Sequence, residues 1–552
     1  MKKEQVIYQL YPKSFYDSNG DGIGDLRGII QKLDYLVSLH VDMIWFNPFF
    51  VSPQNDNGYD VADYRAIDPR FGTMADFEEL VAKLATHHIG VMLDMVFNHT
   101  STAHVWFQHA LAGDPKYQAF YYLRDPKPDG SLPTNWQSKF GGPAWSQFGD
   151  TGKYYLHLYD RTQADLDWHN PAVRQEVAAI VNFWRQKGVH GFRFDVLNVI
   201  GKAEHLIDAQ PGTPSKYLYT DTPIVQTYIK QLAATSFGQD PLAVTVGEMS
   251  ATTLPQAIAY TKPENHELTM VFQFHHLKVD YVDGQKWTAM RYDFNALRKL
   301  LHTWGSGMAQ GGGWQALFWN NHDQPRAIDR FADPQKARFA SATLLAASIH
   351  LNRGTPFIYM GEELGMSDPD YRSMSDYVDV EAHNAYHALI KQGLSEHDAF
   401  TIIHAKARDN SRTPMQWNAG PTAGFTTGTP WLRPTNQAQV NVQAPVSQAI
   451  FAFYQKLIAL RKTYAVIAQG DYEPFGADID WLYAYLRKYQ AQQLLVLNNF
   501  ADHTIQIPIP ADFQHAPVLI TNLPSFEPHA MITLPAYGTV ALLHDKEEHY
   551  EK

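Results

Sequence analysis

The chain has 552 residues, with 45 Lys and Arg against 57 Asp and Glu, which gives a formal net charge of −12. This balance argues against nucleic acid or an anionic membrane as a partner. There is no cysteine, so disulfides and cysteine-based zinc sites are excluded. The hydrophobic content of 45% can build a large core. No run of about 18 apolar residues predicts a membrane span, and the short basic start lacks an apolar signal core, so we expect a cytoplasmic protein.

Eight short apolar runs, bounded by turn or polar residues, recur along the chain. They are nearly continuous in apolar residues, which is typical of buried parallel strands. The runs cover residues 6–11, 42–48, 89–97, 189–196, 242–248, 268–274, 315–321 and 355–363. Segments with helical periodicity separate most of them, such as 74–88 and 171–188. The alternation predicts an α/β fold of the (β/α)8 barrel type.

Two segments break this alternation. Residues 100–170 are rich in Gly, Pro, Asp and aromatic residues with little helical period, and we interpret them as a small domain inserted after the third strand. Short alternating strands follow the barrel pattern and predict a C-terminal antiparallel β-sandwich over 471–552. The barrel is then predicted to comprise residues 1–99 and 171–470.

Polar and charged side chains stand at the predicted carboxyl ends of several strands, the edge where barrel active sites form. They are Asp94, His99, Arg193, Asp195, Glu248, His322 and Asp323. A single acid at such a position can simply cap a helix. Acids from several strands together supply the carboxylate pair that glycosidic cleavage requires. Arg193 lies two residues before Asp195 and faces the same side of its strand, so it can keep that carboxylate ionised.

These segments resemble the motifs of the α-amylase-type glycoside hydrolases (family 13), over nearly the whole chain. The motifs are DMVFNH (94–99), GFRFDV (191–196), VGE (246–248) and NNHD (320–323). The resemblance implies a retaining mechanism with Asp195 as nucleophile, Glu248 as acid/base and Asp323 as transition-state stabiliser. The sugar contacts that it implies are Asp56, Tyr59, His99, Phe140, Arg193, His322 and Arg412. Retention also predicts that the carboxyl groups of Asp195 and Glu248 lie about 5–5.5 Å apart.

Asp56 and Arg412 match the pair that closes the sugar pocket in the exo-acting α-glucosidase branch of this family. A closed pocket implies removal of single terminal glucose units. Val196, directly after the implied nucleophile, accompanies members of this branch that act on linkages other than α-1,4, although a β-branched residue also packs well in a strand.

The segment DSNGDGIGD (17–25) has the spacing of an oxygen cage for Ca²⁺. The ligands predicted are Asp17, Asn19, Asp21, Ile23 through its carbonyl, and Asp25. Residue 28 is Gly, so the loop lacks the final acid of an EF-hand. Related α-glucosidases carry a structural Ca²⁺ in the same loop, whereas Mg²⁺ and a metal-free Gly/Asp turn stay open as alternatives. We expect no organic cofactor.

The segment FHHLKVDY (274–281) ends the sixth predicted strand with groups that can carry positive charge. The oligo-1,6-glucosidases and dextran glucosidases, which this chain resembles, have an acidic residue where His275 stands. Lys278 follows, and Lys139 precedes the Phe-Gly-Gly that borders the pocket in these relatives. Replacing an acid by cations removes repulsion against a phosphorylated leaving group. With the segments TVGEMSATT (245–253) and NNHDQPR (320–326), the chain resembles members of this family that act on trehalose 6-phosphate. The resemblance implies that this is the substrate, cleaved to glucose and glucose 6-phosphate, and we expect Lys278, His275 and Lys139 as phosphate contacts.

Several alternatives stay open at this point. The substrate can be an isomaltose-type α-1,6-glucoside, in which case Lys278 is an ordinary solvated lysine. The glucosyl group can be transferred to a sugar instead of water. A non-catalytic sugar-binding or partner-binding relative would share the fold, but such relatives typically lose one of the acids that this chain retains. We expect no protein partner.

Overall fold

The structure is a computed structural model that describes residues 2–545. Each of the eight predicted apolar runs contains a strand. Within the described residues the strands are β1 (Ile7–Leu10), β2 (Met43–Phe46), β3 (Phe50–Val51), β4 (Asp63–Ile67), β5 (Gly90–Met95), β6 (His99–Ser101), β7 (Leu123–Arg124), β8 (Trp145–Gln147), β9 (Tyr154–Leu156), β10 (Gln163–Asp165), β11 (Gly191–Phe194), β12 (Val244–Glu248), β13 (Met270–Phe272), β14 (Ala316–Leu317), β15 (Thr355–Tyr359), β16 (Glu473–Phe475), β17 (Leu482–Tyr489), β18 (Gln492–Asn499), β19 (Ile505–Pro508), β20 (Val518–Thr521), β21 (Met531–Leu534) and β22 (Thr539–Asp545).

Helices separate most of the parallel strands, as the periodicity predicts. Over the same residues they are α1 (Leu26–Gln31), α2 (Leu33–Ser38), α3 (Met74–Thr86), α4 (Val105–Leu111), α5 (Pro115–Gln118), α6 (Pro171–Arg185), α7 (Pro223–Thr235), α8 (Leu254–Thr261), α9 (Phe294–Gln310), α10 (Ala327–Phe331), α11 (Pro334–His350), α12 (Val380–Lys391), α13 (Glu396–Lys406), α14 (Asp409–Arg412), α15 (Pro445–Thr463) and α16 (Ala465–Gln469). Helix α6 begins where predicted, because the Asn170 side chain accepts a hydrogen bond from the Ala172 N–H and Pro171 occupies the first turn.

The chain divides into two compact units, and the first comprises residues 45–273 with 379–384. Its parallel strands pair in the order β13-β12-β11-β5. In this register Arg193 lies opposite Asp94 on one side and Val246 on the other. The carboxyl ends of parallel neighbours lie at one edge of a sheet. That edge therefore brings together the side chains of Asp94, Arg193 and Glu248.

The segment 100–170, predicted as an inserted domain, lies within this first unit. It contains the three-stranded antiparallel sheet β7-β9-β8 and the ribbon β10-β6, over a core that includes Trp136 and Trp145. It also contains α4 and α5, which the weak periodicity did not predict. Both are short and depend on local capping, since His104 and Asp114 accept hydrogen bonds from backbone N–H groups of the first turns.

The second unit comprises residues 2–44, 274–378 and the chain from 385 onward. Strands β1-β15-β14 pair in parallel, with Ile7 opposite Phe357. The C-terminal part has a five-stranded antiparallel sheet, β16-β17-β18-β22-β20, and the pair β19-β21. Alternate residues of both sheets, including Leu495 and Ile507, share one core. The predicted C-terminal β-sandwich is therefore confirmed over the described residues.

Candidate active site

Arg193 gathers three carboxylates at the edge of the first unit's sheet. Its Nη1 donates to Asp94 Oδ1 at 2.6 Å and to Asp195 Oδ1 at 2.7 Å, and its Nη2 donates to Glu248 Oε2. The Arg193 side chain is 1% exposed, whereas those of Asp195 and Glu248 are 10% and 11% exposed. The two acids are thus accessible while the guanidinium that holds them is not.

The carboxyl groups of this cluster have raised pKa values, although Arg193 lies among them. Burial is the main cause, and it raises the pKa of Asp195 and of Asp94 to about 6 in each case. Arg193 opposes this shift for both, while the neighbouring charge of Asp94 raises the pKa of Asp195 further. The carboxylates in turn hold the pKa of Arg193 well above its ordinary value, against the effect of burial. This site can hold a proton at slightly acidic pH.

Asp195 and Glu248 also hydrogen-bond to one another, which favours the ionised form of Asp195. The shared guanidinium holds the two carboxylates side by side, since Asp195 and Glu248 each accept from a different nitrogen of Arg193. The separation of about 5–5.5 Å that a retaining mechanism uses stays a prediction.

Tyr59, His99 and Asp56 lie in the same unit and converge on a residue that motif matching missed, Gln163. The Gln163 side-chain amide donates to Asp56 Oδ2 at 3.1 Å and to the Tyr59 carbonyl at 3.3 Å, and it lies 3.1 Å from His99 Nε2. The Tyr59 hydroxyl donates to Asp94 Oδ2 at 2.9 Å. Three predicted sugar contacts are thus joined by one buried amide.

His99 is neutral in this setting, because burial lowers its pKa to about 4. Its Nε2 lies 3.1 Å from the Tyr59 carbonyl, and the Asn98 amide lies 3.1 Å from its Nδ1. These partners assign the proton to Nε2. A neutral imidazole suits hydrogen bonding to sugar hydroxyls better than ion pairing with an anion.

Tyr159 is a second residue that sequence reasoning missed. Its ring lies 5.4 Å from that of His99 and 5.7 Å from that of Phe140, measured between centroids. Burial, followed by the charges of Asp195 and Glu248, holds its pKa well above the ordinary value. Lys139 is exposed, and its Nζ donates to the Tyr159 hydroxyl at 3.1 Å. The predicted phosphate contact Lys139 and the predicted sugar contact Phe140 therefore both lie beside Tyr159.

Neither Gln163 nor Tyr159 carries a periodic or charge-based signal. Only the segment QADLD (163–167) could have indicated the first of them, since in the β10–β6 ribbon Gln163 lies opposite Ser101 and Asp165 lies opposite His99.

The second unit carries the remaining predicted catalytic residue, Asp323. Arg412 Nη2 donates to Asp323 Oδ1 at 2.8 Å, and Arg412 Nε donates to the His322 carbonyl at 2.7 Å. His322 Nε2 lies 3.2 Å from Asp323 Oδ2, and the Gln9 amide lies 3.0 Å from His322 Nδ1. The Asp323 side chain is 30% exposed and ion-paired with Arg412. The closing pair of Asp56 and Arg412 stays a prediction.

The turn that carries His275 and Lys278 follows β13. Its three central residues, His275–Leu277, form a 3-10 turn. The His275 ring stacks on Trp304 at 5.4 Å, and the buried His276 lies with Nε2 2.9 Å from the Phe318 carbonyl. Burial lowers the pKa of His276 to about 4, which makes it a neutral wall residue. Lys278 is half-buried at the end of the turn.

A buried charge cluster braces this turn, and sequence reasoning did not find it. Arg330 Nη2 and Nε donate to the two carboxylate oxygens of Asp280 at 2.7 and 3.0 Å. Arg330 also donates to the Leu277 carbonyl and, at 3.0 Å, to Gln324 Oε1. Lys406 Nζ donates to the Asp280 carbonyl at 2.7 Å and lies 3.7 Å from its carboxylate. Two cations, Arg330 and Lys406, therefore contact one acid, Asp280, which lies two residues after Lys278.

The predicted calcium loop lies in the second unit. Asp17 Oδ1 accepts from the N–H groups of Asn19 and Gly20, and its Oδ2 accepts from the Gly22 N–H and the Thr426 hydroxyl. Asp25 caps α1 through the Gly28 N–H. Within residues 2–545, no group of three or more His, Asp or Glu side chains is arranged to hold a metal ion. The donor types still suit Ca²⁺, although both Asp17 oxygens already accept two hydrogen bonds each.

Over residues 2–545, none of the helices has both the length and the apolar character needed to cross a membrane.

Comparison with known proteins defines the class. Residues 9–470 match the family model described as the alpha amylase catalytic domain, and residues 482–541 match the alpha-amylase SusG C-terminal domain. The chain therefore belongs to the α-amylase family of glycoside hydrolases, and it folds as a (β/α)8 barrel followed by an antiparallel C-terminal domain.

Individual relatives show which members of the family this chain resembles. The chain is 47% identical to the trehalose-6-phosphate hydrolase of Bacillus subtilis (strain 168), over 98% of this chain and 97% of that one. It is 44% identical to an oligo-1,6-glucosidase of Halalkalibacterium halodurans, over 92% of each chain. The crystal structure of Bacillus licheniformis trehalose-6-phosphate hydrolase superposes with a TM-score of 0.93 at 47% identity, covering 99% of both chains.

Proposed function

We propose that this glycoside hydrolase cleaves trehalose 6-phosphate to glucose and glucose 6-phosphate. The observation that carries the proposal is the charge around Lys278. Asp280, the acid nearest to Lys278 in the chain, is neutralised by Arg330 at 2.7 Å, and Lys406 adds a second cation 3.7 Å from the same carboxylate. The turn thus has more positive than negative charge, which favours an anionic leaving group.

The positive charge of this turn suits a phosphorylated sugar, which is an anion. A sugar 6-phosphate carries roughly −1.5 to −2 charges near neutral pH. A charge-assisted hydrogen bond to such a group contributes about 1.5–3 kcal/mol. An acidic residue at the position of His275 would repel the same group, so its absence also favours the phosphorylated substrate. The two relatives named trehalose-6-phosphate hydrolase above support the same assignment.

The chemistry follows from the carboxylates in the first unit. Asp195, ionised by Arg193 at 2.7 Å, attacks the anomeric carbon and forms a covalent glucosyl intermediate. Glu248 gives its proton to the leaving oxygen, and in the second step it accepts a proton from the attacking water. Asp323 binds the hydroxyls next to the reacting carbon and stabilises the positive charge that develops there.

Substitution of Lys278 by Ala tests the phosphate assignment. We expect KM for trehalose 6-phosphate to rise about tenfold or more, while kcat/KM for an unphosphorylated aryl α-glucoside changes less than about threefold. Lys83→Ala, on the exposed face of α3, is the matched control and is expected to change neither substrate. An equal loss on both substrates would remove the phosphate role of Lys278.

Isomaltose-type α-1,6-glucosides are the alternative substrate, since an oligo-1,6-glucosidase is 44% identical to this chain. Side-by-side kcat/KM values for trehalose 6-phosphate, trehalose and isomaltose decide between the two. A preference for isomaltose over the phosphorylated disaccharide would replace the proposal by the alternative.

We also propose that the 17–25 loop binds a structural Ca²⁺. The residues that would hold it are Asp17, Asn19, Asp21 and Asp25 through their side chains and Ile23 through its carbonyl. All donors are oxygens, as this cation prefers. The ion would brace the loop before α1 and take no part in the chemistry.

A further inference from the structure

A cleft of about 840 Å³ lies within the second unit and contains none of the predicted catalytic residues and none of the predicted phosphate contacts Lys278, His275 and Lys139. Its wall does include the Asp280, Arg330 and Lys406 cluster described above. Its volume falls in the range of about 300–1,000 Å³ that is typical of small-molecule sites. Part of its wall comes from the 290–336 region and part from the C-terminal domain, through Trp481, Phe500 and Tyr537.

Two wall residues have an unusual backbone. Trp481 has φ +59° and Tyr537 has φ +56°, and within residues 2–545 they are the only Trp, Tyr or Phe with positive φ. Both line this cleft. The left-handed region is strained for a bulky residue, and such strain concentrates at ligand-binding positions.

The strained backbone presents an aromatic platform. The Trp481 ring stacks on Phe294, with centroids 5.0 Å apart and an interplanar angle of 21°, and meets Tyr292 edge-on at 6.4 Å. Despite these contacts Trp481 is 37% exposed, and the neighbouring wall residue Met290 is 38% exposed. An exposed indole ring that is held in place by stacking on Phe294 suits the apolar C–H face of a pyranose ring.

The charges of the cleft decide between a neutral and an anionic ligand. Six aspartates line it against four lysines and arginines. Three of these cations have an acid partner, namely Arg330 and Lys406 at Asp280 and Lys336 at Asp333, 3.3 Å away. His503 and Asp502, next to the platform, lie 3.1 Å apart. Arg330 and Lys406 outnumber Asp280 at the Lys278 turn, but over the whole cleft the aspartates exceed the Lys and Arg residues by two. The cleft as a whole therefore has no excess positive charge and fits hydroxyl groups rather than a phosphate.

We propose that this cleft is a second saccharide-binding site, for neutral glucose units, with Trp481 as its stacking platform. It binds sugar without cleaving it, since it contains none of the three proposed catalytic acids. The inference does not depend on the identity of the substrate at the catalytic residues.

Methionine methyl NMR of the full chain tests the site directly. The chain carries Glu248→Gln so that sugar is not turned over, and isomaltotriose is the probe. We expect the Met290 methyl signal to shift saturably with Kd of about 1–10 mM. The signal of Met531, which is 50% exposed and outside the cleft, is the internal control and should stay unchanged.

Substitutions of Trp481 then assign the platform. Trp481→Ala should raise the Kd read from Met290 about tenfold, and Trp481→Phe, which keeps an aromatic face, should raise it about threefold at most. Tyr217→Ala removes another exposed aromatic residue, 66% exposed and outside the cleft, and should leave the Kd unchanged. Absence of a saturable Met290 shift in the parent chain, or a shift that survives both Trp481 variants unchanged, overturns the proposal.

Glucose 6-phosphate tests the charge argument. It should bind at least about threefold more weakly than glucose, because aspartates outnumber the Lys and Arg residues of the cleft. Equal or tighter binding of the phosphorylated sugar overturns the assignment to neutral saccharide. If Trp481→Ala does not fold, Trp481→Phe and the glucose 6-phosphate comparison in the parent chain still give a decisive result.

Discussion

Two arginine clusters in this protein use the same groups in opposite proportions. Arg193 serves three carboxylates, Asp94, Asp195 and Glu248. Arg330 and Lys406 together serve one carboxylate, that of Asp280. An excess of acid over cation raises carboxyl pKa values and suits proton transfer. An excess of cation over acid leaves positive charge for an anion. The ratio of charges, more than their number, distinguishes the two regions.

The largest effect is expected when one acid is removed from the Arg193 cluster. Asp195→Asn should lower kcat/KM about 10⁴-fold for trehalose 6-phosphate and for a neutral aryl α-glucoside alike, because the covalent step is lost. Steady-state kinetics on both substrates measure it, with the exposed Asp150→Asn as control. A loss below about tenfold would show that Asp195 is not the nucleophile.

The next largest effect is expected when the charge balance of the Arg330 cluster is reversed. Arg330→Gln leaves Asp280 with Lys406 alone, so kcat/KM should fall about 30-fold more for trehalose 6-phosphate than for the aryl glucoside. Adding Asp280→Asn should restore most of that difference, since the uncompensated acid is removed. Arg65→Gln, at a surface ion pair with Glu176, serves as control. Failure of the double variant to recover would mean that Arg330 acts through structure and not through charge.

A smaller effect concerns pH. Burial raises the pKa of Asp195, the proposed nucleophile, to about 6, so its ionised form is lost below that pH and kcat/KM should fall about tenfold per pH unit there. The assay needs a neutral aryl glucoside, because a sugar phosphate itself ionises near pH 6. Asp94→Asn removes a charge that raises the pKa of Asp195, so the acidic limb should move to lower pH. Movement to higher pH would contradict the assigned sign.

The smallest effect is expected at the 17–25 loop, which belongs to neither cluster. Chelation with EDTA should lower Tm by about 1 °C, the shift expected for the loss of about 1 kcal/mol in a chain of 552 residues, without changing kcat at 25 °C. Restoring Ca²⁺ should recover Tm in the parent chain but not in Asp21→Ala, while Asp34→Ala, exposed on α2, should respond like the parent. A Tm that does not depend on Ca²⁺ would favour the metal-free turn.

The parallel strands could be predicted from sequence because each is a nearly continuous apolar run, and burial on both faces leaves that pattern no other explanation. The short helices α4 and α5 could not, since their positions depend on the capping side chains of His104 and Asp114 rather than on periodicity. Among the candidate site residues, Asp195 and Glu248 stand in recognisable motifs. Gln163 does not, and only the fold brings its amide to Asp56 and His99.

The sequence alone determined the barrel order, the catalytic motifs and the family, because these depend on local apolar patterning and on residues close together in the chain. Tertiary structure decided the charge ratios, since Asp280, Arg330 and Lys406 come from three separate segments and meet only when those segments pack. It also decided the left-handed backbone of Trp481, because the contacts that offset such strain are made by distant residues. Motifs and apolar runs consist of residues close together in the chain and can be read from it, whereas electrostatic balance and backbone strain depend on groups that only folding brings together.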